Sequence, residues 1–260
     1  MRSRSIVSLV AVLIVGIAIY FFGQQSSTKK DLSTFIVGTA AGYAPFVSVN
    51  PLGEYEGFDI DVANVVAEKL GKKLEIKDLG CMTSLFMALD QGMIDAIIWG
   101  ISITSERLEK VAMIHYQGET RKVEPLIFWK TIPEGIQSLA DMQGKTVCVE
   151  PSSSHDTIIR KFPDIQTISI EKLDDALLQI QYGKADAAFV ESAIAQKFKN
   201  KYPEIQIVDI PLPASDQVQG IGIVVKKDNQ KLVDEIQKSI DDLKSENVIE
   251  QSAKKWEIPS

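Results

Sequence analysis

Histidine and cysteine are scarce in this chain, with two of each in 260 residues. Without a His or Cys cluster at ligand spacing, a zinc or other soft-metal site is not expected. Cys81 and Cys148 lie far apart and share no CxxC spacing, so two free thiols are expected, at least one of them buried. Positive charge is also short. The 28 lysines and arginines face 35 aspartates and glutamates, giving a net charge of −7 and a sequence pI near 5.0. No basic stripe interrupts that balance, which argues against a nucleic-acid partner. An activated nucleophile is missing too. Ser154-His155-Asp156 is contiguous, and adjacency in sequence does not make a catalytic triad. No catalytic residue and no cofactor is expected.

One long apolar run is present, and it opens the chain. Met1-Arg2-Ser3-Arg4 forms a short basic segment, and Ile6 to Phe22 follows as the apolar stretch. It exceeds a typical signal-peptide core and sits at the lower limit for a membrane-spanning helix. The flank from Gly23 to Lys30 has no convincing small-x-small cleavage site, and no cysteine is there to carry a lipid. The basic start predicts an inside N-terminus and export of everything after it. A signal peptide and a retained anchor remain open, with the length leaning towards the anchor. The expected place is therefore the periplasm, free or tethered to the inner membrane.

From Thr34 onward strands and helices alternate. Strand patterns fall at 35–39, 73–76, 94–100, 123–131, 146–149, 185–190, 205–210 and 221–225. Helical spacing appears at 61–70, stopped by Gly71, at 84–91, closed by Gly92, and around Leu173, Ala176, Leu177 and Ile180, stopped by Gly183. It returns in the tail at Leu232, Val233, Ile236, Ile240 and Leu243. Such βα alternation implies α/β layers around a largely parallel sheet. Gly92-Met93-Ile94-Asp95-Ala96-Ile97-Ile98 is echoed by Gly183-Lys184-Ala185-Asp186-Ala187-Ala188-Phe189. Two similar α/β lobes with a cleft between their strand ends follow, because ligands of open α/β sheets bind beyond the carboxyl ends of strands. The expected organisation is a signal or anchor plus linker over 1–33, one lobe over 34–120 and 216–260, and the other over 121–215. Crossovers are expected near Tyr116 to Arg121 and Pro213 to Gln219, and Asp61 is read as a helix N-cap.

The segment Gly100-Ile101-Ser102-Ile103-Thr104-Ser105-Glu106-Arg107 carries the most chemistry. Thr104 or Ser105 can cap a helix, which puts Arg107 in a first turn, where the macrodipole disfavours a cation. A bound anion accounts for it: turn N–H groups, the Ser102 and Thr104 hydroxyls and a bidentate guanidinium would form a carboxylate cradle. A surface arginine answering Glu106 or Glu109 is the competing reading. Ser152-Ser153-Ser154, after the strand at 146–149, offers a second anion nest or plain helix capping. Glu191 can be a helix-start acid, and Tyr43 and Phe58 can be core aromatics.

Taken together, Val37-Gly38-Thr39 with Tyr43-Ala44-Pro45-Phe46, Gly57-Phe58-Asp59-Ile60-Asp61, Asp95 with Ser102 to Arg107, and the terminal Lys254-Lys255-Trp256 resemble the periplasmic amino-acid-binding proteins of ABC importers. The resemblance runs from Phe35 to Trp256 and is nearest to chlamydial arginine-binding proteins. It implies two α/β lobes joined by a two-strand hinge, the type II periplasmic-binding fold, and a monomer serving an ABC-transporter permease. It implies that Arg107 pairs with the α-carboxylate of an L-amino acid, helped by backbone near Gly100 and Ser102 and by Ser153 and Ser154. It implies that Glu191, where most relatives carry Asp, takes the α-ammonium, and that Tyr43 and Phe58 flank the side chain. Acids common in basic-amino-acid binders are absent at Ala40, Val47 and Thr83. Trp99 is expected to project into the pocket, which leaves Glu150 as the acid able to meet a cationic side chain. Basic and neutral polar amino acids both stay open. A dehydratase-like enzyme on the same scaffold and a tethered amino-acid sensor are the alternatives.

Overall fold

The computed structural model describes residues 33–258, so the apolar run at 6–22 lies outside the described residues. Among the described residues no helix is long and apolar enough to cross a membrane. Two five-stranded sheets organise the chain. The first has the order β4-β1-β5-β12-β6, from Lys73–Asp78, Thr34–Thr39, Ala96–Ile97, Val218–Val225 and Ala112–Arg121. The second has the order β11-β7-β10-β8-β9, from Ile205–Pro211, Val123–Trp129, Ala187–Phe189, Thr146–Val149 and Gln166–Ser169. A small hairpin of β2 (Ser48–Val49) and β3 (Tyr55–Glu56) completes the strands.

The sheets are mixed rather than largely parallel. β1 runs parallel to β4 and β5, and β8 parallel to β9 and β10. β12 is antiparallel to both of its neighbours, as is β7. The reason is the path of the chain. It leaves the first sheet at Arg121, enters the second at Val123, and returns from Pro211 to Val218. A strand that arrives from the opposite lobe inserts head-down. The segment expected only as a crossover, near 116–121, is thus the end of the ten-residue strand β6.

The internal echo is structural. Asp95 and Asp186 exchange the same two hydrogen bonds with the strand beside them. The Asp95 N–H donates to the Ile36 carbonyl at 2.7 Å, and its carboxylate accepts the Ile36 N–H at 2.9 Å. Asp186 does the same with Thr146, at 2.8 Å each way. Each aspartate thereby pins the start of a buried strand to the parallel strand beside it.

The helix expected at 61–70 spans Phe58–Lys69 (α1) and begins three residues early. Gly57 makes that start possible. Its φ is 133°, and a Cβ there would lie 2.1 Å from the Phe46 carbonyl oxygen. Asp61 is consequently inside the helix and caps nothing, which corrects the N-cap reading. Its Oδ2 accepts from Ser252 Oγ at 3.1 Å, Lys255 Nζ at 2.8 Å and Trp256 Nε1 at 2.8 Å, tying α1 to the tail. The remaining helices are α2 (Met82–Asp90), α3 (Ser105–Lys110), α4 (Ser154–Ile159), α5 (Leu173–Gln181), α6 (Ser192–Lys201), α7 (Gln230–Ser245) and α8 (Val248–Lys255). Both cysteines are free, and Cys148 is buried in β8.

Candidate functional site

Thr104 caps α3 as expected, its Oγ1 accepting the Arg107 N–H at 3.3 Å. The first turn of α3 places the Arg107 side chain between the lobes. Nη1 donates to the Ser102 carbonyl at 2.8 Å and Nη2 to the Ser152 carbonyl at 3.0 Å, with Met82 Sδ at 3.8 Å and the Phe86 ring beneath. These partners are all neutral. No ion pair to Arg107 occurs among the described residues, although Glu191, Glu150 and Glu106 lie near enough to favour its charge against the cost of burial. The surface-arginine reading therefore fails: Glu106 pairs with Lys110 instead.

Glu191 faces Arg107 from the second lobe, in the extended residue before α6. Its Oε1 accepts from Ser102 Oγ at 3.3 Å, and its Oε2 accepts a short hydrogen bond from the Tyr43 hydroxyl. Ser102 is therefore the spacer of the site. Its carbonyl holds the cation and its hydroxyl serves the carboxylate. Gly100, just upstream, has φ 56°, and a Cβ there would come within 3.0 Å of Tyr43 Cε1. Glycine lets the aromatic ring lie against the strand end. Tyr43 stacks on Phe46 at 5.0 Å and tilts against Trp99 at 5.3 Å. Phe58 is fully buried between Phe46 and Tyr116, in the aromatic layer behind Tyr43.

Next to Tyr43 opens a cavity of about 250 Å³. Trp99 and Glu150 form part of its wall, and the Trp99 Nε1 donates to the Ala40 carbonyl at 2.8 Å. Glu171, Asp174 and Asp175 also line it with Lys172 and Lys197, so with Glu150 four carboxyl groups face two ammonium groups. Burial, then repulsion from Glu191, pushes the Glu150 carboxyl up to about 8 against the opposing pull of Arg107. Of the serine segment, Ser152 takes a left-handed φ of 64° and bonds Thr83 across the cleft at 3.1 Å. Ser153 caps α4 through Asp156 N–H at 3.1 Å. Ser154 lines a separate groove with Thr104, Glu106 and Lys161.

Sequence reasoning missed the cluster of Arg121, Glu124 and His155, and the buried pair Asp59 and Tyr116. Nothing in local spacing joins them, since the fold brings them from different elements. The Tyr116 hydroxyl donates to Asp59 Oδ1 at 2.7 Å, behind Gly100. Burial raises the Asp59 carboxyl to about 7, against the Tyr116 hydroxyl and Gly100 N–H, which lower it. A raised folded value means stability that is complete below about pH 4 and is lost as pH climbs towards 7, by up to about 1.4 kcal/mol per unit. Asp59→Asn should flatten the fall in melting temperature between pH 5 and 7. An unchanged pH slope would show that Asp59 is ionised throughout.

Two lobes meeting at a cation, a carboxylate and an aromatic wall define a ligand-binding cleft of the type II periplasmic-binding architecture. The sequence profile of bacterial extracellular solute-binding proteins, family 3, matches residues 35–258, and the chain belongs to that family. It is 33% identical over 234 residues to the probable ABC transporter arginine-binding protein ArtJ of Chlamydia trachomatis serovar D, covering 90% of this chain and 88% of that protein. The structure of holo ArgBP from T. maritima is similar at 31% identity and a TM-score of 0.71, covering 82% of this chain and 91% of that one. An ancestral arginine-binding protein is similar in its arginine-bound and glutamine-bound structures, each at 28% identity and a TM-score of 0.75. They cover 86% and 87% of this chain, and 98% and 99% of their own.

Proposed function

We propose that this chain is an extracytoplasmic binding protein. It closes two lobes on a polar L-amino acid, with a cationic side chain preferred, and presents it to an ABC-transporter permease. The observation that carries this reading is the pairing of Arg107 with Glu191 across Ser102. A cation with only neutral partners and a carboxylate held by two hydroxyls stand on opposite lobes, one residue apart. An α-amino acid carries the complementary charges on one carbon. Its carboxylate meets the Arg107 fork, with the Ser154 amide assisting, and its ammonium replaces the Tyr43 hydroxyl on Glu191. Each lobe supplies one charge, so a ligand that needs both stabilises the closed form.

The side chain then points past Tyr43 and Trp99, backed by Phe58, towards Glu150 and the acidic rim. The excess of carboxylates there supports a guanidinium or ammonium, and arginine-named relatives agree with it. A neutral amide such as glutamine is the second choice, since a protonated Glu150 can hydrogen-bond it. The lobes are 34–120 with 216–260, and 121–215. The site binds and releases its ligand unchanged. A lyase-like enzyme is the second reading, favoured only by the raised Glu150, which has the character of a general acid.

A thermal-shift screen against the standard L-amino acids tests this. A ligand at a hundred times its Kd stabilises by about 2.7 kcal/mol. Arginine is expected to give the largest shift and to be recovered intact. No shift with any amino acid, or a changed ligand after incubation, would overturn the reading.

A further inference from the structure

Linked to Glu191 through Ser102 is a largely buried polar cluster that ligand capture does not explain. Glu124 in β7 has a side chain 0% exposed, a position no carboxylate holds without partners. Arg121, the last residue of β6, brings Nε to 2.8 Å from Glu124 Oε1, and His155 brings Nε2 to 3.4 Å from Oε2. Arg121 and Glu124 thus form a close ion pair. His155 is fixed in turn, edge-on against Phe189 with ring centroids 4.6 Å apart. Burial alone would raise Glu124, but His155 and Arg121 more than offset it and hold the carboxyl below its ordinary range.

The other end of Arg121 reaches the cleft. Nη2 donates to Ser102 Oγ at 3.1 Å, and Ser102 Oγ donates to Glu191 Oε1 at 3.3 Å. The direction of this chain is forced. A guanidinium only donates and an ionised carboxylate only accepts, so the single hydroxyl proton of Ser102 must point at Glu191. The Ser102 hydroxyl therefore serves the ammonium side of the site rather than the carboxylate cradle read from sequence.

We propose that Arg121 is a positioning residue for Glu191. From the crossover between the two sheets it fixes Ser102 as a donor to that carboxylate, and Glu124, braced by His155, holds the guanidinium in place. This rests on the reading that Glu191 takes the ligand ammonium. Arg121 touches no part of the ligand. It sets which lone pair of Glu191 is engaged and leaves Oε2 for the incoming ammonium.

The test separates positioning from plain charge neutralisation. Arg121→Met alone strands a buried carboxylate and can unfold the protein. The double variant Arg121→Met/Glu124→Gln removes both charges and should melt closer to wild type than the single variant. Its Kd for L-arginine, measured by calorimetry, should nevertheless rise about tenfold, the size of one charge-assisted hydrogen bond. In a Glu191→Gln background the same two changes should alter Kd less than twofold. Arg121→Lys, which keeps a donor, should recover part of the affinity. Wild-type affinity in the double variant, or a further tenfold loss in the Glu191→Gln background, would reduce Arg121 to a structural counter-ion. If the wild-type protein binds no L-amino acid, this inference and the reading beneath it both fall. Binding by wild type and double variant alike overturns this inference alone.

Discussion

Replacing Arg107 with alanine is expected to weaken amino-acid binding by roughly 10²–10³-fold while leaving the unliganded protein folded. Two facts set the size. Truncating one partner of a shielded, hydrogen-bonded charge pair costs about 2–5 kcal/mol, because the other charge is left in the cleft without a partner. The guanidinium also supplies a fork that no neighbouring group can replace: its hydrogen-bonding partners in the structure are the carbonyls of Ser102 and Ser152 and the Met82 sulfur. Losing those neutral contacts should change stability by only about 1 kcal/mol. Calorimetric titration with L-arginine and a thermal melt of the same sample separate the two effects. Arg107→Lys keeps the charge but not the planar fork and should restore only part of the affinity. An Arg107→Ala protein that binds within fivefold of wild type would place the carboxylate elsewhere.

The second large effect is a pH dependence of ligand choice. Glu150, raised to about 8 by burial and by Glu191, is mostly protonated at neutral pH in the unliganded site. A bound guanidinium favours the ionised form and so lowers that value in the complex. Binding of L-arginine and loss of a proton are thereby linked. Affinity should strengthen as pH rises from 6 to 8, at most about tenfold per unit, and level off above. Titrations in buffers of different ionisation enthalpy should show a proton released on binding. Glu150→Gln should abolish the slope and weaken L-arginine binding by about 10–100-fold at pH 8.5, while L-glutamine changes by less than threefold. Arginine binding that is independent of pH, with no proton released, would remove Glu150 from the side-chain pocket.

The fold was readable where periodicity and punctuation agree. β8 at Thr146–Val149 has the predicted ends, and Asp95 and Asp186 recur because each lobe needs the same strand anchor. What could not be read is what long-range pairing decides. The run at 94–100 is apolar apart from Asp95, yet only Ala96–Ile97 form a ladder, since β1 and β12 flank it only there. α1 starts early because Gly57 packs against Phe46, a contact no local pattern reports. In the site, Arg107 was legible because a cation in a first helical turn contradicts the dipole. Glu124 and Arg121 stand at i, i+3 beside the expected crossover, a spacing with no helix to make it meaningful. Nothing in their spacing says that one of them is fully buried.

The sheet orders also constrain how the molecule assembles as it is made. The strands of the second sheet come from one continuous stretch, Val123 to Pro211, and can pair as soon as that stretch has emerged. The first sheet cannot. β12 lies between β5 and β6, so a gap persists in its middle until residues 218–225 arrive. The lobe that begins first is the one that closes last, and until then β5 and β6 expose unpaired edges of the kind that seed aggregation. A chain crossing a membrane from its N-terminus would spend that interval with its earliest strands unsealed, which is when a chaperone would have most to protect.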